Sequence, residues 1–194
     1  YFLVCATLQD ALRRWLKHHS NFSGFADKHV FHLNDTHPAL AVAELMRILV
    51  DEAALHWDEA WDICQNCFAY TNHTILPEAM EKWRVALLEQ VLPRHMQIIF
   101  EINQRFLERV AVRFPGDEDR LRRMSVIEEG DEQRVQMAHL AIIGSRAVNG
   151  VAELHSRILR QELFSDFEQM WPERFQNVTN GVTQRRWLLQ CNPQ

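Results

Sequence analysis

The sequence predicts a helix-rich α/β fold built as a single unit. Short apolar segments alternate with longer amphipathic ones along the 194 residues, which is the pattern of strands followed by helices. Three of the short segments end in a small polar cluster, as strands do where a loop begins. No internal repeat, low-complexity tract or Gly/Ser-rich linker divides the chain, so we expect one domain over residues 1–194.

Helices are predicted where apolar residues recur every three or four positions. The helix after the first polar cluster begins at Pro38, because proline suits a first helical turn, and Asp35 or Thr36 is expected to cap it. The longest helix ends at Pro115 and Gly116, which form turns. The predicted helices cover residues 1–17, 38–52, 57–67, 78–89, 96–114, 120–124, 138–148 and 152–163.

Strands are predicted in short apolar stretches that are bounded by polar or turn-forming residues. Three of them, Val30–Leu33, Phe68–Thr71 and Phe175–Val178, lead into the polar clusters. A fourth strand opens the segment Ser125–Glu132, which turns back as an acidic hairpin. Asn149–Gly150 is expected to be a turn between two helices.

The composition narrows the classes of function. A net charge of -5 provides no general field that would attract nucleic acid. No apolar run approaches the length of a membrane span, and the N-terminus lacks a signal-peptide pattern. Four cysteines do not make a disulfide scaffold in a chain of this size, so we expect a reducing, cytoplasmic compartment. Nucleic acid and membrane are therefore not expected among the partners.

Polar clusters follow the three predicted strands at Asn34–His37, Thr71–Thr74 and Thr179–Gly181. If these strands are neighbours, the clusters converge on the crevice beyond the carboxyl ends of the strands, where open α/β sheets bind ligands. Together they would supply amides, two imidazoles and a carboxylate, with no obvious nucleophile among them. Such paired donors and acceptors suit a ligand that is rich in hydroxyl groups, such as a sugar.

The polar clusters also have a simpler interpretation, because Asn, Asp and Thr commonly cap helices and form turns. Asp35, His37 and His73 are of metal-binding types, but their spacing matches no zinc signature, so we expect no metal.

Cys64 and Cys67 form a CxxC pair, which suits redox chemistry or half of a zinc site. Because the pair stands at a helix end before a strand, buried apolar cysteines are the favoured interpretation.

Several segments that span essentially the whole chain carry a resemblance to a known family. They are Leu33–Pro38, Tyr70–Thr74, Leu92–Ile99, Glu101–Asn103, Ala147–Val151, Thr179–Thr183 and Arg185–Trp187. In this order they resemble the glycogen, starch and maltodextrin phosphorylases, the α-glucan phosphorylase family, in the style of its bacterial members. The resemblance implies a three-layer piece with short, mostly parallel strands from a Rossmann-like domain of the GT-B type. The chain is similar to an interior fragment, mostly of the N-terminal half of such an enzyme.

The resemblance also implies an activity and a cofactor. Family members use inorganic phosphate to release glucose 1-phosphate from the non-reducing end of α-1,4-glucans such as glycogen and maltodextrin, and a homodimer is expected. Their pyridoxal 5'-phosphate is held as a Schiff base by a lysine of the C-terminal domain. Lys17, Lys28 and Lys82 stand in sequence contexts unlike that of this lysine. We therefore expect no cofactor on this chain alone, and no complete catalytic set within it.

Roles carried over from the family fall on matching positions of this chain. His73 and Asn180 resemble the residues that hydrogen-bond the glucosyl unit, and Trp187 resembles an aromatic residue near the cofactor. Arg13 and Arg14 match a pair that binds nucleotide phosphate in regulated animal members. Positions that match the lining of the channel beside the sugar are Asp35, His37, Glu78 and Glu81.

Two other classes of protein stay open on the sequence. One is a stand-alone module that binds α-glucan, and the other is a structural or oligomerisation unit. For a fragment of a phosphorylase, we expect the chain itself to be inactive in phosphorolysis.

Overall fold

The strands of the protein form two sheets in a computed structural model that describes residues 1–193. The larger sheet contains β1 (Phe31–Asn34), β2 (Phe68–Thr71), β6 (Ala147–Gly150) and β7 (Phe175–Asn177), and the smaller one contains β3 (Lys82–Arg84), β4 (Ile127–Glu128) and β5 (Arg134–Gln136). The larger sheet has the order β1-β2-β6-β7 with every neighbouring pair parallel. The smaller sheet has the antiparallel order β3-β5-β4.

Helices surround these sheets, so the predicted helix-rich α/β class is confirmed. The α-helices are α1 (Phe2–Leu16), α2 (Phe25–Lys28), α3 (Ala41–Arg47), α4 (Trp57–Cys67), α5 (Val85–Val91), α6 (Pro93–Arg113), α7 (Glu118–Met124), α8 (Met137–Ile143), α9 (Glu153–Ile158), α10 (Ser165–Met170) and α11 (Gln184–Cys191). α3 and α9 continue into the π-helical turns Ile48–Glu52 and Leu159–Leu163. Across residues 1–193, no helix combines the length and the apolar character needed to cross a membrane.

In the longest helix, α6, the apolar residues that recur along the sequence form part of the hydrophobic core. It starts at Pro93, where the missing amide hydrogen leaves no unsatisfied donor, and it ends before Gly116, whose φ is 82°. Its apolar residues recur at helical spacing, and Ile98, Ile99 and Ile102 are fully or almost fully buried. These side chains join one hydrophobic core with residues of α1, α3, α8 and the larger sheet.

The prediction was wrong for β6, the second interior strand of the larger sheet. A helix was expected over 138–148 with a turn at Asn149–Gly150, but α8 ends at Ile143 and the chain is extended from Ala147. Parallel pairing with β2 on one side and β7 on the other stabilises this strand. Long-range pairing therefore overrides the local helical pattern.

Two predicted helices also begin later than expected. The helix expected over 78–89 is replaced at its start by a 3-10 turn, Pro77–Ala79, and by β3, and only α5 is helical. The helix expected at Pro38 begins at Ala41 instead. The Asp35 side chain accepts a hydrogen bond from the backbone N of Thr36 (2.7 Å) rather than capping this helix.

A buried carboxylate connects α3 to α6 and to Tyr1, the residue before α1. The carboxylate of Glu44 on α3 is fully buried, and it accepts hydrogen bonds from Nε2 of His95 on α6 (2.5 Å) and from Nε of Arg47 (2.9 Å). The hydroxyl of Tyr1 lies 3.5 Å from the same carboxylate. Burial by itself raises the pKa of Glu44, but the bonds from His95 and Arg47 outweigh it and lower the pKa to about 2.

Candidate functional site

The candidate site lies along the carboxyl edge of the larger sheet. Its four parallel strands all end at this edge, because parallel strands point the same way. Asn34 at the end of β1 pairs in register with Thr71, Thr71 pairs with Asn149, and Gly150 pairs with Asn177. The two loops after β1 and β2 are therefore neighbours, whereas β6 separates the loop after β7 from the loop after β2.

The first two polar clusters are joined by a side-chain hydrogen bond. Nε2 of His73, which is exposed, lies 2.6 Å from Oδ1 of Asn34. An amide oxygen only accepts, so His73 donates through Nε2 and, in the neutral ring, its Nδ1 keeps a lone pair. The imidazole is therefore oriented, and its Nδ1 can accept a hydrogen bond from a hydroxyl group.

Asp35 turns the chain sharply at the end of β1. Its φ is 61°, in the left-handed region that Asp tolerates better than most residues, and its N donates to the backbone oxygen of Thr71 (2.9 Å). This turn sends Thr36 and His37 away from the strand direction. Local backbone strain of this kind is often found at functional sites.

Glu81 connects the first cluster to the segment after β2. Its carboxylate accepts hydrogen bonds from Oγ1 of Thr36 (2.6 Å) and from Nε1 of Trp83 (2.9 Å). Nδ1 of His37 lies 4.0 Å from the same carboxylate. Glu78 is in the exposed 3-10 turn Pro77–Ala79 that leads to Glu81. Of the predicted channel residues, His37 and Glu81 are thus brought together, and Asp35 lies in the same loop as His37.

The third cluster reaches the edge through backbone contacts. The N of Asn180 donates to the backbone oxygen of Val151 (3.0 Å), just beyond β6, while its side chain is exposed. Trp187 lies on α11, a helix with no buried side chain, and it is 58% exposed. The structure therefore connects Asn180 to the edge of the sheet but does not pack Trp187 against it.

Arg13 and Arg14 are not part of this edge. Both lie on α1 and form ion pairs of 2.7 Å with Asp10, with more than half of each arginine side chain exposed. The hydrogen bond from Arg13 and the charges of both arginines hold the pKa of Asp10 below its usual range. Arg13 also lines a groove of about 690 Å³ between α1 and the turn after α3.

A polar chain across three strands was missed from the sequence. His32 on β1 hydrogen-bonds the hydroxyl of Thr71 on β2, and Thr71 Oγ1 donates to Oδ1 of Asn149 on β6 (2.6 Å). Asn72 is fully buried, and its Oδ1 lies 3.1 Å from Nε2 of His155 on α9. In the sequence, Asn149 was interpreted as part of a turn between two helices, whereas it lies on β6.

The edge of the sheet thus presents imidazole, amide and carboxylate groups in a connected arrangement. These groups can pair with hydroxyl groups as both donors and acceptors. Within residues 1–193, no three His, Cys, Asp or Glu side chains are grouped so that they could hold a metal ion. The geometry suits the binding of a polar, hydroxyl-rich ligand.

The CxxC pair is structural, as the simpler interpretation predicted. Cys64 and Cys67 are fully buried on α4, and both are free thiols. Burial raises the pKa of Cys67 to about 12 and raises that of Cys64 as well, so neither forms a reactive thiolate near neutral pH.

A labelling experiment checks this interpretation. An aromatic disulfide reagent at pH 7.5 is expected to modify the exposed Cys191 quickly and to leave Cys64 and Cys67 unmodified until denaturant is added. Mass spectrometry of peptides locates the label. Fast modification of Cys64 or Cys67 in the native protein would show that the pair is accessible and would revive the redox interpretation.

Fold and site together define a class: an α/β protein with polar side chains gathered at the carboxyl edge of a parallel sheet. Comparison with known proteins makes this specific, because residues 1–194 match the family described as carbohydrate phosphorylase. The chain belongs to this family.

Individual relatives agree with the family match. The chain is 58% identical to the muscle form of glycogen phosphorylase from Ovis aries, and 59% identical to the muscle form from Homo sapiens and to the brain form from Bos taurus. Each alignment covers 100% of this chain and 24% of the relative, so the chain spans about a quarter of the length of these relatives. Because these relatives are mammalian, the bacterial style expected from the sequence stays a prediction.

The lysines of this chain do not fit the anchoring of pyridoxal phosphate. Lys82 lies on β3 and its Nζ is 2.6 Å from Oε1 of Glu128. Lys17 and Lys28 lie at the ends of α1 and α2, the two helices that precede β1. None of the three lies in the clusters Asn34–His37, Thr71–Thr74 or Thr179–Gly181, so within residues 1–193 these clusters offer no lysine for the Schiff base.

Proposed function

We propose that this chain is the part of an α-glucan phosphorylase that contacts the glucosyl unit. The complete enzyme would use inorganic phosphate to release glucose 1-phosphate from the non-reducing end of α-1,4-glucans. The observation that carries the proposal is the 2.6 Å contact between His73 and Asn34, which orients an exposed imidazole at the carboxyl edge of the sheet. Membership of the carbohydrate phosphorylase family supports the class of reaction.

Within this proposal the residues have separate tasks. His73 and Asn180 hydrogen-bond the glucosyl hydroxyl groups, and Trp187 contributes an aromatic surface near the cofactor. Arg13 and Arg14 bind a phosphate group, for which their ion pairs with Asp10 must open. The residues that line the channel beside the sugar are Asp35, His37, Glu78 and Glu81.

The rest of the proposed enzyme supplies what this chain lacks. Pyridoxal phosphate would be held by residues outside this sequence, and its phosphate group would donate and accept the proton in phosphorolysis. We further propose that the complete enzyme is a cytoplasmic homodimer.

Phosphorolysis assays on two proteins test the proposal. The full-length protein is expected to release glucose 1-phosphate from maltoheptaose and phosphate, and the purified 194-residue chain is expected to release none. The isolated chain should also lack the absorbance of bound pyridoxal. Glucose 1-phosphate release by the isolated chain would contradict the proposal, as would a full-length protein with no activity on any α-1,4-glucan.

A glucan-binding module is the second candidate, because the Asn34–His73 pair and the hydrogen bond between Glu81 and Thr36 are built from this chain alone. Titration of the isolated chain with maltoheptaose, followed by tryptophan fluorescence, separates the candidates. Saturable binding favours a module, whereas no binding favours a part that needs the complete enzyme. A discrete dimer in sedimentation would favour an oligomerisation unit, for which the exposed apolar residues of α11 would be the contact.

A further inference from the structure

His155, on α9, contacts two of the loops at the carboxyl edge at once. Its Nδ1 accepts a hydrogen bond from the backbone N of Val151 (3.1 Å), and its Nε2 lies 3.1 Å from Oδ1 of Asn72. Because Nδ1 accepts, the proton of the neutral ring is on Nε2, which therefore donates to Asn72. Partial burial and the nearby His73 lower the pKa of His155, which favours this neutral form at pH 7.

The contact with Asn72 fixes the loop that carries His73. Asn72 is fully buried, and its Oδ1 also accepts a hydrogen bond from the backbone N of Thr74 (2.9 Å). Its Nδ2 donates to the hydroxyl of Tyr70 (3.0 Å), so the orientation of the amide is determined from both ends. His73 lies between Asn72 and Thr74, and its backbone is therefore held on both sides.

The contact with Val151 fixes the loop that carries Asn180. The backbone oxygen of Val151 accepts a hydrogen bond from the N of Asn180 (3.0 Å). One residue earlier, the backbone oxygen of Gly150 accepts from the N of Val178 (3.1 Å). The segment after β7 is thus hydrogen-bonded to the backbone of Gly150 and Val151, and the N–H of Val151 donates to His155.

The position of His155 depends on a close approach between β6 and α9. A Cβ atom added to Gly150 would lie 2.8 Å from Cα of Ser156, so no larger residue fits there without a shift of the helix. The hydroxyl of Ser156 donates to Oδ1 of Asn177 on β7 (2.8 Å). These contacts anchor α9 against two strands and hold His155 over their ends.

We propose that His155 is a positioning residue that couples the His73 loop to the Asn180 loop. Through Asn72 and Val151 it would keep the two residues at a fixed separation, so that both contact the same glucosyl unit. His155 itself would touch no substrate. The proposal rests on the proposed function for its kinetic consequence, but the coupling between the loops can be measured without any substrate.

Three substitutions in the full-length protein separate the two contacts. His155→Ala removes both. His155→Gln keeps a donor near the position of Nε2 for Asn72, and His155→Asn keeps an acceptor near the position of Nδ1 for Val151. His18→Ala is the matched control, because His18 is exposed in the loop after α1, outside the site.

Amide hydrogen exchange and phosphorolysis kinetics are measured on each variant. His155→Ala is expected to increase exchange in both segments, 72–76 and 178–181, and to lower kcat/KM for maltoheptaose by about 100-fold. His155→Gln should restore protection in 72–76 alone, and His155→Asn should restore the protection of Val151 and of 178–181 alone. Each should recover part of the kinetic loss, and His18→Ala should match the wild type.

Several results would overturn the coupling. The first is that hydrogen exchange in both segments is unchanged in His155→Ala. The second is a loss of activity in His155→Ala that neither His155→Gln nor His155→Asn recovers, because such a loss indicates a merely structural role. A wild-type protein with no phosphorolysis would refute the proposed function instead. Exchange in the two segments would then still decide whether His155 couples them.

Discussion

Replacing His73 by alanine in the full-length protein is expected to lower kcat/KM for glucan phosphorolysis by about 100- to 1000-fold, the usual effect of losing one oriented hydrogen-bonding group at a reacting centre. His73 is expected to have this effect because its ring is oriented by Asn34 at 2.6 Å, which leaves Nδ1 available for a sugar hydroxyl. Steady-state kinetics with maltoheptaose and phosphate measure the change.

Two further variants make the result specific. His73→Asn places an amide near the position of Nδ1, and it should recover part of the activity if that nitrogen accepts from the sugar. Asn34→Ala leaves the imidazole in place but removes its orienting partner, so a smaller loss is expected. If His73→Ala retained the wild-type kcat/KM, His73 would have no role in glucosyl binding.

Replacing Glu44 by alanine is expected to lower the free energy of unfolding by about 3–5 kcal/mol, the usual cost of removing one partner from a buried ionic cluster. The substitution leaves His95 and Arg47 without the carboxylate that accepts their hydrogen bonds. It also opens space between α3 and α6. Urea unfolding, followed by tryptophan fluorescence at pH 7, measures the change.

The same carboxylate makes stability depend on acid pH. Glu44 has a pKa of about 2 in the folded protein, below its ordinary value of 4.5, so folding favours its ionised form. Its contribution is therefore complete above pH 4.5 and is lost as the pH falls from 4.5 towards 2. Glu44→Gln cannot ionise, so the difference in stability between wild type and this variant should shrink over that interval. A difference that stays constant over this interval would mean that folding does not lower the pKa of Glu44.

A helix or strand could be predicted from the sequence where the local residue pattern and the long-range packing favour the same structure. Ile98, Ile99 and Ile102 recur at helical spacing and are also buried, so α6 was predicted. β6 was missed because Ala147 and Gly150 have little preference for a strand, and an apolar helix comes just before them. Its extended form depends on β2 and β7, which are distant in the sequence. β3 depends in the same way on pairing with β5.

The candidate site was predicted in part for the same reason. Asn34 and His73 follow recognisable strands, and neighbouring strands bring them together. The role inferred for His155 has no local signal, because it lies in a helix and its partners are far away in sequence. Its contact with Asn72 exists only because a glycine allows α9 to approach β6. Such residues are visible only once the strand order is known.

The order β1-β2-β6-β7 in the larger sheet is also the order in which the ribosome makes the strands. Among the strands of residues 1–193, β2, β6 and β7 can each add to the edge of a strand that has already been made. β2, however, is made well before β6, and its outer edge has no strand to pair with while residues 72–146 are being synthesised. Unpaired strand edges invite association with other chains. We therefore expect the nascent chain to be prone to mispairing at β2 during this interval.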